Sequence, residues 1–130
     1  MKKKFLDFGI QPITNAFLTE DKFGDEYFYN LSIGIDEDTK LVSLMESVKP
    51  ELMFNDVYAH RASMSETMRN SFKAVAESLI KQFRPKNVLE IGSNDGVFIR
   101  NFSKEAIVAI EPCQNLADLT SGMGYKTYCD

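Results

Sequence analysis

A short apolar run that ends in a glycine turn constrains this chain more than any other feature. Val88-Leu89-Glu90-Ile91 is followed directly by Gly92-Ser93-Asn94-Asp95-Gly96. A buried strand that leads through a glycine turn into a helix is typical of parallel sheets built from strand–helix–strand units. Gly92 lets backbone approach a ligand closely, and the helix that follows would present free N–H groups at its first turn. The segment therefore predicts a ligand-binding turn at the carboxyl end of a strand.

The residues after this turn predict further alternation of helices and strands. Asp95–Phe102 predicts a short helix with Phe98, Ile99 and Phe102 facing inward, and Ala106–Ile110 predicts a second buried strand. Cys113 to about Met123 predicts another helix, and Tyr125–Tyr128 the start of a third strand. Alternating strands and helices of this length indicate an α/β fold, the start of a Rossmann-like sheet.

An amphipathic helix is predicted just before the sheet, from about Ser65 to Phe83. Ser63-Met64-Ser65-Glu66 fits a capping box, and Pro85 ends the segment. Apolar residues recur at spacings of three and four, which indicates a stripe that contacts the core. The stripe consists of Met64, Met68, Phe72, Val75, Leu79, Ile80 and Phe83.

The first fifty residues are irregular and predict loops and short strands. Tyr27–Ile35 alternates partly and predicts a strand, Asp36-Glu37-Asp38 an acidic turn, and Leu41–Leu44 the returning strand of a hairpin. Glu51–Asn55 predicts a short helical segment. A small β-rich module therefore precedes the helix and the sheet.

The acidic residue after the second predicted strand suggests which ligand the turn binds. Glu111 lies twenty-one residues beyond Glu90 and precedes Pro112, which turns the chain away. An acidic side chain at this position can accept both hydroxyls of a ribose. The dinucleotide pattern G-x-G-x-x-G lacks its middle glycine here, where Asn94 stands beside Asp95. This favours the cationic S-adenosylmethionine over NAD; a plain turn that binds no ligand is the alternative.

Composition excludes several classes of function. The chain has 130 residues, 44% of them hydrophobic, and a net charge of -4, which argues against a nucleic-acid-binding surface. No apolar run is long enough to span a membrane, which requires about 18–20 residues, and we expect a cytoplasmic protein. Cys113 and Cys129 form no Cys-x-x-Cys pair, and His60 is the only histidine, so we expect no metal site.

At this point the sequence resembles a known family, the sugar C-methyltransferases that act on nucleotide-linked deoxysugars. The resemblance begins in the glycine turn, in Glu90–Gly96, and covers nearly the whole chain in order. It further rests on these segments and residues: Asp7–Leu18, Leu41–Leu44, Val48–Phe54, Tyr58–Thr67 (with His60 where a tyrosine is usual), Ile110-Glu111-Pro112 and Asn115.

The resemblance implies a methyl transfer from S-adenosylmethionine to a sugar carbon. It assigns cofactor contacts to the two segments around the predicted strand ends, namely Glu90, Gly92, Ser93, Asn94, Asp95, Gly96, Glu111 and Pro112. It also implies that the histidine base lies beyond Asp130, so the catalytic residues are unknown. Tyr58 would line the cofactor pocket or pack the linker onto the core.

The resemblance also implies a zinc module that this chain does not reproduce. Family members carry two Cys-x-x-Cys pairs near the N-terminus, whereas Asp36 and Thr39 stand where the second pair would be. Structural zinc needs four thiolate or imidazole ligands. We therefore expect no zinc, and a weakly ordered module held by packing of Phe5, Phe8, Phe17 and Phe28.

These observations predict three parts: a small module at 1–57, a linker and helix at 58–84, and a partial cofactor-binding domain at 85–130. We expect a methyltransferase fragment, inactive alone, whose acceptor is a nucleotide-linked sugar or another small molecule. A truncated or degenerate methyltransferase that serves as an interaction module is the alternative. The open sheet edge predicts a second chain or a homodimer.

Overall fold

The computed structural model describes all residues, 1–130. The chain forms two compact units, Met1–Met53 and Phe54–Asp130. It is a mixed α/β protein with two small three-stranded sheets, one in each unit. No helix has the length and apolar character that a membrane crossing requires.

The first unit is built on an antiparallel sheet with the strand order β1-β2-β3. Its strands are β1 (Lys2–Pro12), β2 (Phe28–Asp36) and β3 (Val42–Leu44), and a 3₁₀ helix at Glu20–Asp25 and the short helix α1 (Pro50–Met53) complete it. The predicted hairpin is confirmed, because β2 pairs with β3. The acidic turn is also confirmed: one carboxylate oxygen of Asp36 accepts hydrogen bonds from the backbone N–H groups of Asp38 and Thr39 and from the Thr39 hydroxyl.

Strand β1 was not predicted, and two irregularities explain why. Its pairing with β2 shifts register between Lys4 and Leu6 and again between Asp7 and Ile10. Gly9, inside the second irregularity, has a φ of +71°. Each shift breaks the alternation of apolar and polar residues by which a strand is recognised.

The predicted aromatic packing in this unit is wrong. Phe5, Phe8, Phe17 and Phe28 remain 59%, 53%, 74% and 51% exposed. In a single three-stranded layer the best-covered positions lie on the central strand, and there the buried residues are the small Ser32 and Gly34. The sheet is therefore held mainly by its backbone ladder rather than by an aromatic core.

The second unit combines a long helix with a parallel sheet. Helix α2 (Glu66–Phe83) leads to β4 (Val88–Ile91), and β5 (Ile107–Ile110), helix α3 (Gln114–Gly122) and β6 (Lys126–Tyr128) follow. The strand order is β4-β5-β6, and both pairings are parallel. The three predicted strands and the helix between the last two are confirmed. The predicted burial of β4 is wrong, because Leu89 and Ile91 on one of its faces are 59% and 76% exposed.

Two details of α2 differ from the prediction. Ser65 caps the helix, since its hydroxyl accepts the Met68 N–H at 3.3 Å, whereas Ser63 lies in a preceding 3₁₀ turn; the predicted capping box is wrong. The apolar stripe was expected to contact the core, but most of it is exposed, and Ala76 is the buried residue of this helix. Phe72 keeps a core contact through the ring of Phe98, at a centroid distance of 5.8 Å.

The short helix predicted at Asp95–Phe102 is reduced to one 3₁₀ turn, Ile99–Asn101. Gly96 has a φ of +79°, and this left-handed conformation cannot continue a right-handed helix. The predicted inward side chains are confirmed: Ile99 is fully buried with Ile107 and Ala109, and Phe102 packs against this cluster. The core of the second unit therefore lies on one face of the parallel sheet.

Candidate functional site

The carboxyl ends of β4 and β5 meet at the glycine turn. The N–H groups of Gly92 and Ser93 both donate to the Ile110 carbonyl, at 2.8 and 3.2 Å. Gly92, Asn94 and Gly96 have φ values of +77°, +51° and +79°, so three left-handed residues shape the turn. A Cβ on Gly92 would meet no atom within 4 Å, which leaves its backbone open to approach.

Glu111 joins this turn to the start of α3. Its side chain is buried, and one carboxylate oxygen accepts the Asn94 N–H at 2.6 Å while the other accepts the Cys113 N–H at 3.0 Å. Hydrogen bonds from backbone N–H groups to a carboxylate are among the stronger ones in proteins. Glu111 thus holds together the segments that follow the two strands. A carboxylate has about four lone-pair sites, so these two bonds leave capacity for a further donor.

Three buried side-chain oxygens at this edge have no hydrogen-bond partner. They are Oε2 of Glu90, Oγ of Ser93 and Oδ1 of Asn115. Glu90 belongs to the end of β4, Ser93 to the turn and Asn115 to the first turn of α3. Buried polar atoms are nearly always paired, so an acceptor-rich edge of this kind suits a ligand that donates hydrogen bonds.

Burial shifts the ionisation of two groups near Glu111. Desolvation first, and the Glu111 carboxylate second, raise the pKa of Glu90 from 4.5 to about 7. Desolvation, assisted by Glu111, also raises the pKa of the Cys113 thiol to about 11. Cys113 is therefore a neutral core thiol, whereas Glu90 changes charge near neutral pH.

The Glu90 shift predicts a pH-dependent stability. Between pH 4.5 and 7 the folded chain keeps a proton that the unfolded chain releases, so Glu90 makes the chain less stable as pH rises through this window. After allowance for solvent screening the cost is about 1–2 kcal/mol. Glu90→Gln is therefore expected to be more stable than the wild type at pH 8 but not at pH 4.5, as measured by urea unfolding. The exposed control Glu105→Gln should show no such difference. An equal change in the free energy of unfolding at both pH values would contradict a raised pKa for the buried Glu90 carboxyl group.

The remaining predicted residues lie at the same edge, but their side chains contact other parts of the chain or solvent. Asp95 is buried, and its carboxylate oxygens accept the Ser63 N–H. The Asn94 side chain bonds to the backbone of His60 and Ala62. Gly96 is packed against Thr120 and Ile99, and Pro112 is exposed just after β5. All eight predicted residues are thus local to one edge, but their contacts with a cofactor stay predictions.

Sequence reasoning missed how closely residues 58–63 are tied to this edge. The Asn115 amide donates to the Tyr58 carbonyl at 2.9 Å. Tyr58 in turn contacts the rings of Phe54 and His60, at 5.8 and 6.4 Å between centroids. These partners are backbone groups, so no residue type in 58–63 indicates them; the cluster of asparagine and aspartate after the strands was the available signal.

The zinc site that the resemblance implies does not fit this chain. Residues 1–55 contain no cysteine or histidine, and no group of three or more acidic, cysteine or histidine side chains could hold a metal ion. Asp36 and Thr39 instead bond directly to each other, at 3.1 Å. The turn that would carry one ligand pair is thus closed by hydrogen bonds.

A chelator is therefore expected to leave the thermal unfolding of this chain unchanged, because residues 1–55 offer no thiol or imidazole ligand through which zinc could stabilise the fold. Differential scanning calorimetry with and without EDTA, together with elemental analysis of the purified chain, measures this. A lower Tm in EDTA, restored by added zinc, would contradict the expectation.

Comparison with known proteins links the first unit to methyltransferases. Residues 1–54 match the model of the family Methyltransf_13, whose description is "Putative zinc binding domain". The matched range ends one residue beyond the first compact unit. No curated protein matches the chain. The first 54 residues are thus similar to a methyltransferase-associated domain. They contain no thiol or imidazole side chain that could bind the zinc named in the family's description.

Proposed function

We propose that this chain binds S-adenosylmethionine at the carboxyl edge of β4 and β5, as part of a methyltransferase. The observation that carries the proposal is the set of buried, unpartnered oxygens of Glu90, Ser93 and Asn115 beside Glu111. S-adenosylmethionine brings an ammonium, a sulfonium and a ribose, which supply positive charge and hydrogen-bond donors. The methyltransferase link of residues 1–54 supports the same function.

The charge of the edge favours a cation over a phosphate ligand. Two carboxyl groups, Glu90 and Glu111, lie close enough for one to raise the pKa of the other. A pyrophosphate would add negative charge beside them, whereas an ammonium would favour the ionised form of Glu90. The proposal therefore disfavours NAD, and it describes the parallel sheet as the start of a Rossmann-like methyltransferase sheet.

Each residue of the edge has a defined task in this proposal. Gly92 leaves space for the methionine part, and Glu90 and Ser93 accept its donors. Glu111 keeps the turn in place and accepts a ribose hydroxyl with its remaining lone pairs. When bound, the cofactor supplies an electrophilic methyl group. The acceptor is proposed to be a carbon of a nucleotide-linked sugar, and this finer assignment rests on the family resemblance.

One face of the parallel sheet is exposed to solvent, and this exposure favours a second polypeptide as partner. Leu89 and Ile91 are 59% and 76% exposed, whereas the alternate residues Val88 and Glu90 are partly buried. Parallel sheets are almost always covered on both faces. We propose that a second chain or a second copy covers Leu89 and Ile91.

A scaffold that no longer binds a cofactor is the second candidate. One observation favours it: both oxygens of Glu111 and the side chains of Asn94 and Asp95 already have partners within the chain. In that case the unpartnered oxygens would be satisfied by water, and the module would serve in protein association.

Calorimetric titration separates the two candidates. The folded chain is titrated with S-adenosylmethionine and S-adenosylhomocysteine, and with NAD as control. We expect saturable binding of the first two ligands, with S-adenosylmethionine binding more tightly at pH 8 than at pH 6 because Glu90 ionises between them. Absence of binding by a chain with a normal circular dichroism spectrum would favour the scaffold.

A further inference from the structure

Residues 58–63, here called the strap, are held against the carboxyl edge of the sheet by side chains. The Asn94 amide donates to the His60 carbonyl at 3.2 Å and accepts the Ala62 N–H at 2.9 Å. The Asn115 amide donates to the Tyr58 carbonyl at 2.9 Å. These bonds join residues more than thirty positions apart in the chain, so they order the strap through tertiary contacts.

Asp95 adds a charged anchor at the end of the strap. Its two carboxylate oxygens lie 3.2 and 3.1 Å from the Ser63 nitrogen, and the side chain is buried. The Arg69 guanidinium donates to the Ser63 carbonyl at 2.6 Å. Both backbone polar groups of Ser63 are thus bonded to charged side chains, which makes this contact costly to break.

Asn94 is chemically suited to this task in a way that glycine and aspartate are not. Its amide accepts from residue 62 and donates to residue 60, so it pairs with the strap as a neighbouring strand would. Asparagine also tolerates the left-handed conformation, φ +51°, that the turn requires here. Glycine would fit the backbone but make neither bond, and an ionised aspartate could not donate.

We infer that Asn94 and Asp95 are positioning residues: they hold the strap as a fixed wall of the site, and their own side chains do not contact the ligand. This inference rests on the proposed function, because the wall matters for binding only if the edge binds a ligand. This role explains why Asn94 occupies the position that the middle glycine takes in the pattern G-x-G-x-x-G. The strap also carries the ring of Tyr58, which contacts the rings of Phe54 and His60, so ordering the strap also orders this aromatic cluster.

Asn94→Gly tests this inference, because it removes both strap bonds while leaving a residue that adopts a positive φ without strain. We expect amide hydrogen exchange at Ala62 to increase about tenfold or more in the variant, the change expected for loss of one or two hydrogen bonds. Affinity for S-adenosylmethionine should fall by a similar factor, with the circular dichroism spectrum unchanged. Asn70→Ala, on the exposed surface of α2, is the control and should alter neither quantity.

The two readouts give distinct outcomes. Unchanged exchange at Ala62 in Asn94→Gly would show that the Asn94 side chain does not hold the strap. Faster exchange with unchanged affinity would overturn the positioning role. Lower affinity with full protection of Ala62 would instead make Asn94 a direct ligand contact. Asp95→Asn provides an independent check, since it weakens only the anchor at Ser63 and should raise exchange there. A wild-type chain that binds no ligand would refute the proposed function, and the positioning role with it. The exchange data would still decide whether the Asn94 side chain holds the strap.

Discussion

Replacement of Glu111 with alanine is expected to destabilise the second unit by about 2–5 kcal/mol and to abolish cofactor binding. The variant leaves the N–H groups of Asn94 and Cys113 without their carboxylate acceptor, and an unsatisfied buried donor costs about 1–3 kcal/mol. Relief of the repulsion with Glu90 offsets part of this loss. Urea unfolding measures the stability, and calorimetric titration the binding.

Glu111→Gln is the matched control for this effect. Its amide keeps the shape and one acceptor oxygen, but its NH₂ group faces one of the two backbone donors. We expect an intermediate loss of stability. The pKa of Glu90 should fall but stay above its ordinary value, because desolvation, the larger cause of the shift, remains while the repulsion from the Glu111 charge is gone. Wild-type stability in Glu111→Ala would contradict the account that this carboxylate holds the two segments together.

Ile99→Ala is expected to cost about 2–5 kcal/mol, the usual range for removing a fully buried aliphatic side chain. Ile99 is completely buried in the cluster with Ile107 and Ala109, and its side chain also touches the position of the Gly96 Cβ. The cavity would therefore open next to the glycine turn. A lower urea midpoint with an unchanged m-value is the expected measurement.

The control for this change is Val75→Ala, at a position on α2 that is 48% exposed. It should change the stability by less than about 0.5 kcal/mol, because surface substitutions rarely cost more. Equal losses in both variants would contradict the assignment of the core to one face of the parallel sheet.

The parallel sheet was predictable from the sequence because its strands are short and uninterrupted. Val88–Ile91 and Ile107–Ile110 are apolar runs bounded by Pro85, Gly92 and Pro112, and such punctuation marks element ends clearly. Strand β1 was not predictable, since its two register shifts disturb the alternation on which recognition depends. For α2 the helix was predicted correctly, but the burial of its apolar stripe was not. A helical period shows which residues share a face, and it does not show how much of that face other residues cover.

The candidate site was predictable as a location but not as a set of contacts. The order of strand, glycine turn and acidic residue brings Glu90, Gly92 and Glu111 to one edge, as parallel topology requires. The sequence does not reveal that Glu111 bonds to two backbone N–H groups, nor that Asn94 and Asp95 bond to the strap. These partners are backbone atoms from segments up to thirty-four residues away, and backbone groups leave no mark in residue identity.

The proposed function requires that the carboxyl edge of β4 and β5 bind S-adenosylmethionine. The most direct test follows the backbone amide resonances of the ¹⁵N-labelled chain by NMR during titration with this ligand. We expect saturable shifts concentrated at residues 92–96 and at Cys113, with weaker changes in the strap. Absence of shifts at these amides, or saturable shifts confined to residues 1–53, would contradict the proposed function.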